Sequence, residues 1–161
     1  MSMIPHWKPT WVEVPVTVQV ASAYEANDVV GGTLSCDAYN VSGGGYIGAV
    51  RLVDDDDEKA AFTLYVFNAA PSTIADAETH APTEADWLKF IGTVAIAADD
   101  YDANGSEACA FVYGRGGTAT GEVVAFDNLP NGKLYFRLVC TATPTYTAAD
   151  DLTLHVLLWL M

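Results

Sequence analysis

From Val12 to Val20 every second residue is a valine, with Glu13, Pro15, Thr17 and Gln19 between them. A period of two puts all the valines on one face of an extended strand, a pattern that a helix of period 3.6 cannot bury. Pro15 lacks an N–H, so this strand belongs at a sheet edge or at the mouth of a bulge. Further β-rich runs follow at Gly32–Tyr39, Tyr46–Val53, Ala61–Asn68, Phe90–Ala97, Ala108–Tyr113, Glu122–Phe126, Lys133–Ala142 and Leu152–Leu160. Turn residues separate them: Asn27-Asp28, Ser42 to Gly45, Asn104-Gly105, Gly114 to Gly117 and Asn128 to Gly132. This spacing predicts an all-β fold, an antiparallel β-sandwich of jelly-roll or Greek-key type.

One interval departs from the strand pattern. Between Pro71 and Lys89, Thr83 can cap a short helix, with Glu84 in its first turn and Asp86 at the position that closes a capping box. One or two helical turns on a long loop are expected there. With 161 residues, 51% of them hydrophobic, the chain is long enough for one core and too apolar for wholesale disorder. The expected organisation is an extended N-terminal arm over residues 1–11 and a single sandwich domain over residues 12–161.

The two ends of the chain stand out. Residues 1–10 show no alternation and hold Pro5, His6, Trp7 and Pro9, with Trp11 close behind. The last strand has Leu152, Leu154, Val156, Leu158 and Leu160 on one face, while the other begins with Thr153 and His155 and ends with Leu157, Trp159 and Met161. A sandwich has one interior, so apolar residues on both faces imply a cover over the second, either the arm or another subunit. Trp7, Trp11, Leu157, Trp159 and Met161 are the expected interface residues.

Charge narrows the partners. Twenty-one acidic residues against seven basic ones give a net charge of −14, which disfavours nucleic acid and anionic lipid and suits a protein packed in many copies. No apolar run approaches the roughly 20 residues of a membrane helix. The first residues lack the basic start and apolar stretch of a secretory signal, so no secreted setting is expected and the sequons at Asn40 and Asn104 carry no meaning. Cys36, Cys109 and Cys140 are odd in number and lie in apolar segments, which predicts buried free thiols in a reducing compartment.

Candidate chemistry is thin. Asp54 to Asp57 and Glu58 form an acidic run between two strands, expected to be a solvated loop because consecutive side chains point apart. Asp100-x-Asp102-x-Asn104-Gly105 matches the first half of a calcium loop, but Phe111 stands where the bidentate glutamate belongs. A hairpin with Asn-Gly at its tip explains the same residues, and no metal is expected. Gly43 to Gly48 fits a dinucleotide fingerprint as a string, yet a strand follows it where a helix is required, so no cofactor is expected. His6, His80 and His155 are scattered, no nucleophile motif accompanies them, and no catalytic residue is assigned. Leu129 to Tyr135 reads as a tyrosine corner, with Tyr135 a fold-stabilising residue.

Several phrases carry a resemblance: Ala23-Tyr24 through Gly31-Gly32, Leu64 to Phe67 with Pro71 to Asp76, Ala85-Asp86 with Ile91-Gly92, Leu134-Tyr135 with Leu138-Val139, and Pro144-Thr145-Tyr146 leading into Asp151 to Leu154. Over residues 21–156 this string resembles small proteins encoded among the head and tail genes of tailed bacteriophages, similar to capsid decoration (cement) proteins. The resemblance implies a virion structural protein, not an enzyme, that binds the major capsid protein and stabilises the head lattice as an oligomer, expected as a homotrimer. It would assemble in the host cytoplasm and act on the capsid surface. The alternative is a jelly-roll carbohydrate- or receptor-binding module of a phage fibre or tail, with Trp87 or Tyr101 as its platform and calcium at Asp100 and Asp102 as an aid.

Overall fold

The structure is a computed structural model, and it describes residues 8–38, 44–103, 107–113, 124–127 and 129–160. Among the described residues, ten strands form two antiparallel sheets: β1 (Lys8–Pro15), β2 (Val29–Asp37), β3 (Gly45–Asp54), β4 (Phe62–Phe67), β5 (Phe90–Ile96), β6 (Tyr101–Ala103), β7 (Ala108–Tyr113), β8 (Val124–Phe126), β9 (Lys133–Cys140) and β10 (Leu152–Leu160). The larger sheet has the order β1-β10-β3-β7-β6, and β8 continues beside the first residues of β3. The smaller sheet has the order β2-β9-β4-β5. With the two three-residue strands β6 and β8 set aside, the eight long strands run first-eighth-third-sixth in one sheet and second-seventh-fourth-fifth in the other. That is the jelly-roll order expected of two interleaved Greek keys.

The alternation seen in the sequence sets this packing. In β10, Leu152, Leu154, Val156 and Leu158 are buried, and Leu34, Leu64, Phe136 and Leu138 of the smaller sheet meet them in one core. Val14, Val16 and Val18 join that core although β1 ends at Pro15; Val20 is exposed. β1 is an edge strand, as Pro15 requires. It begins at Lys8, so the boundary expected between arm and domain at Trp11 falls inside a strand: Lys8 to Trp11 pair with Leu160 to Leu157. Pro9 concealed this in the sequence, because an edge strand tolerates a missing N–H that a central strand would not. Residues 1–7 lie outside the described residues.

The short helix is present. α1 (Glu84–Trp87) is capped by Thr83, whose hydroxyl accepts the Asp86 N–H while the Asp86 carboxylate accepts the Thr83 N–H. Gly31 and Gly32, at φ +75° and +70°, form the irregularity in β2 where its register to β9 shifts. A side chain at Gly31 would strike Val16, so the glycine is required by both conformation and space.

Residues of three of the phrases that carry the phage resemblance meet at one corner. The buried Tyr24 donates its hydroxyl proton to Asp76 and accepts the Gln19 N–H at 2.8 Å. Asp76 also accepts the Gly31 N–H at 2.7 Å, and Tyr146 packs edge-on against Tyr24. These residues tie the β1–β2, β4–β5 and β9–β10 connections together, so their work here is to hold the fold. Tyr135, by contrast, is a half-buried residue of β9. Tyr24 and Tyr101 are phenols that do bond to the backbone, the latter donating to the Ala60 carbonyl at 2.9 Å.

Candidate functional site

The outer face of the larger sheet is aromatic. Residues on β10 that point away from the core are Thr153, His155, Leu157 and Trp159, and register places partners beside each. Trp11 lies opposite Leu157, Tyr46 opposite Trp159, and Arg51 between His155 and Phe111. The Trp159 and Tyr46 rings stack at 5.9 Å. The Trp159 indole rests on Gly48, where a Cβ would come within 2.4 Å of its Nε1. Trp11 meets Phe111 edge-on at 5.7 Å, the Arg51 guanidinium sits 5.3 Å from the Trp11 ring, and Tyr113 leans on Phe111. The result is two groups of rings on one face, Trp11–Phe111–Tyr113 and Tyr46–Trp159, with Trp11 40% and Tyr113 63% exposed.

This face is nearly neutral in a chain of charge −14. Its acids, Glu13 and Asp102, stand on the edge strands β1 and β6, where charge also discourages stray strand pairing. Burial and the nearby Arg51 push the His155 imidazole down, against the pull of Glu13 3.7 Å away. His155 is therefore mostly neutral at pH 7, and Arg51 and Glu13, on either side of it, carry opposite charges.

Part of the outer face of the smaller sheet is covered by the chain itself, over Arg137 and Val139, while Ser35, Thr93 and Ala95 stay exposed. The β4–β5 connection lies across β9 and buries Arg137 completely. The Arg137 Nη2 donates to the Ser72 carbonyl and to its Oγ, and stands 3.6 Å from the Asp86 carboxylate. Asp86 accepts from the Ser72 N–H and hydroxyl, each at 2.6 Å, and from the Thr83 N–H. Burial pushes the Asp86 carboxyl up, but these hydrogen bonds outweigh it and hold the group well below the ordinary carboxylate range. The Ser72 hydroxyl gives its proton to a carboxylate and is covered by Arg137, so it is held as a structural group and not as a nucleophile. His80 packs on Tyr65 at 4.3 Å on this same side, and burial pushes its imidazole down. Immediately after the buried Asp86, Trp87 and Leu88 project into solvent, 49% and 83% exposed, with Phe90 behind the indole.

Carboxylates gather at a third place, the end of the sandwich formed by the β1–β2, β3–β4, β5–β7 and β9–β10 connections. Asp54 is not a solvated loop residue: it ends β3 fully buried and accepts the Lys59 and Asp56 N–H groups. Burial pushes its carboxyl up. Asp56 accepts from Thr147, and Asp57 pairs with Lys59 at 3.0 Å. Asp100 accepts the Ala97 N–H, and Asp102 is exposed on β6, a strand that the calcium-loop string concealed. Asn104 and Gly105 lie outside the described residues, among which no group of three or more candidate ligands converges on one point.

The cysteines are free. Burial pushes the Cys36 thiol up to about 12 and the Cys140 thiol to about 11, so both stay protonated in the core. Cys109 is half-buried on the aromatic face, where the sequence reading placed it in the interior.

Of the expected interface residues, the structure brings Trp11, Leu157 and Trp159 to one face; Trp7 and Met161 lie outside the described residues. Tyr46, Arg51, Phe111 and Tyr113 share that face and were not singled out, because only the register of β3 and β7 with β10 places them there. Tyr101, expected as an exposed platform, is buried in the core with its hydroxyl satisfied. Trp87 is the exposed aromatic of that pair. Comparison with known proteins gives no match: no protein-family model fits the chain, and no significant similarity is found to a curated protein or a solved structure.

Proposed function

We propose that this chain is a structural protein of the virion surface, a capsid decoration protein of a tailed bacteriophage, and that the outer face of the β1-β10-β3-β7 sheet is its assembly surface. The observation that carries the reading is the layer of rings from Trp11 to Tyr113 on a face with little net charge, in a chain otherwise rich in carboxylates. Desolvated aromatic anchors dominate protein interfaces, and a flat sheet face offers area without a cleft for a small substrate. The resemblance of residues 21–156 supplies the virion setting and the major capsid protein as partner. The carboxylate-rich end supports solubility of a protein present in many copies.

The test is to add the purified chain to capsids stripped of accessory proteins and to image them. Regular occupancy of lattice positions, lost on Trp11→Glu, is expected. Capsids left bare by a folded chain would remove the reading.

One observation favours a second reading, a glycan-binding module: Trp87 stands exposed on a rigid turn. Under that reading Trp87→Ala abolishes binding on a glycan array while the fold persists. A native chain that binds no glycan eliminates it.

A further inference from the structure

The ring-covered face has a partner that its own chemistry selects. A foreign partner chosen by charge would meet the carboxylate-rich end, which carries Asp55 to Glu58, Asp99, Asp100 and Asp150. The sheet face offers no such field, since Arg51 and Glu13 carry opposite charges and His155 is mostly neutral. It selects by shape and apolar area, and it carries both halves of a cation–π contact, the Arg51 guanidinium over the Trp11 indole and the exposed ring of Tyr113.

We infer that the occupant of this face in the free protein is a second copy of the same chain, packed face to face about a two-fold axis with the β1-β10-β3-β7 sheets back to back at the centre. The inference rests on the assembly reading above and names the partner of that same surface. Four strands spaced about 4.8 Å apart and nine residues rising about 3.3 Å each give a face of roughly 500 Å². A pair therefore buries about 1,000 Å², the lower bound for a specific interface, so the contact is specific but weak. An isologous contact of this kind closes on itself and does not propagate into filaments. It also leaves both carboxylate-rich ends in solvent and turns the two Trp87–Leu88 turns outward, free for a different contact.

Like charge makes the contact salt-sensitive in a diagnostic direction. Two chains of −14 repel, and salt screens that repulsion, so the pair tightens as salt is added, whereas a contact with a basic partner would loosen.

The experiment is light scattering on the whole chain over a wide concentration range, at low and at high salt. The expected result is a mass that rises towards twice the monomer, with an association constant several-fold higher at high salt. Tyr113→Glu, a change at an exposed position, returns the mass to the monomer with an unchanged unfolding midpoint. Gly48→Ala, which displaces the Trp159 indole, weakens association several-fold by a separate route. A monomer at all concentrations, a trimer, or a dimer broken by Trp87→Ser and untouched by Tyr113→Glu would each overturn the inference. Capsid imaging with the same proteins separates the two claims. A monomer that still decorates capsids sinks the pairing alone, and a dimer that leaves capsids bare sinks the decoration reading alone.

Discussion

The two sheets of this sandwich treat their outer faces in opposite ways. The smaller sheet covers part of its outer face with the β4–β5 connection, through a fully buried arginine that bonds to a serine, itself bonded to a buried carboxylate. The larger sheet leaves its outer face to a layer of rings that pack on each other and remain partly wet. The first solution needs directional groups, because a buried charge without a partner costs several kcal/mol. The second needs none, because a half-exposed ring loses little by waiting in water. The covered patch is therefore polar and fixed, and the open face is apolar.

The sharpest way to break this contrast is Arg137→Met. Removing the guanidinium strands Asp86 in a dry site and should cost about 3–5 kcal/mol in denaturant unfolding. Adding Asp86→Leu to that variant should deepen the loss, since it also leaves the Ser72 and Thr83 N–H groups without their acceptor.

Proton linkage separates two buried acids. The folded pKa of Asp86 lies below its unfolded value of about 3.9, so its contribution is complete above that value and is lost only as pH falls through the lower folded value. Asp54 runs the other way: its folded pKa lies above the unfolded one, so its contribution is present in acid and lost as pH rises through the folded value. Unfolding free energy measured against pH should show Asp86→Asn losing most of its deficit in strong acid. The stability of Asp54→Asn relative to the native chain should rise between acid and neutral pH.

A smaller effect is expected at the helix cap. Thr83→Ala removes the hydroxyl acceptor of the Asp86 N–H and should cost about 1 kcal/mol by thermal unfolding. The smallest is on the open face, where Tyr113→Ser should stay within about 0.5 kcal/mol of the native chain while lowering its self-association. If Tyr113→Ser proved as costly as Arg137→Met, the two faces would not differ in the way described.

Much of the fold was legible because period-two alternation is a local signal. Ala108–Tyr113 and Leu152–Leu160 coincide with β7 and β10, and Thr83 with Asp86 marks the helix start. What was hidden depends on distant partners or on length. Three residues of β6 are too few to show a period. Arg137 reads as an ordinary polar residue of β9 until Asp86 and Ser72 arrive from the β4–β5 connection. The candidate site was half visible: Leu157 and Trp159 break the alternation of their own strand, whereas Arg51, Phe111 and Tyr113 obey theirs and become a surface only through register.

That register also decides how the molecule bears tension. Lys8, at the start of β1, pairs with Leu160, at the end of β10, so those two strand ends lie at the same corner. A pull between those two points does not slide β1 along β10 against all its hydrogen bonds at once; it opens them one pair at a time, from Leu160 towards Thr153. The sandwich is thus mechanically soft when drawn by the start of β1 and the end of β10.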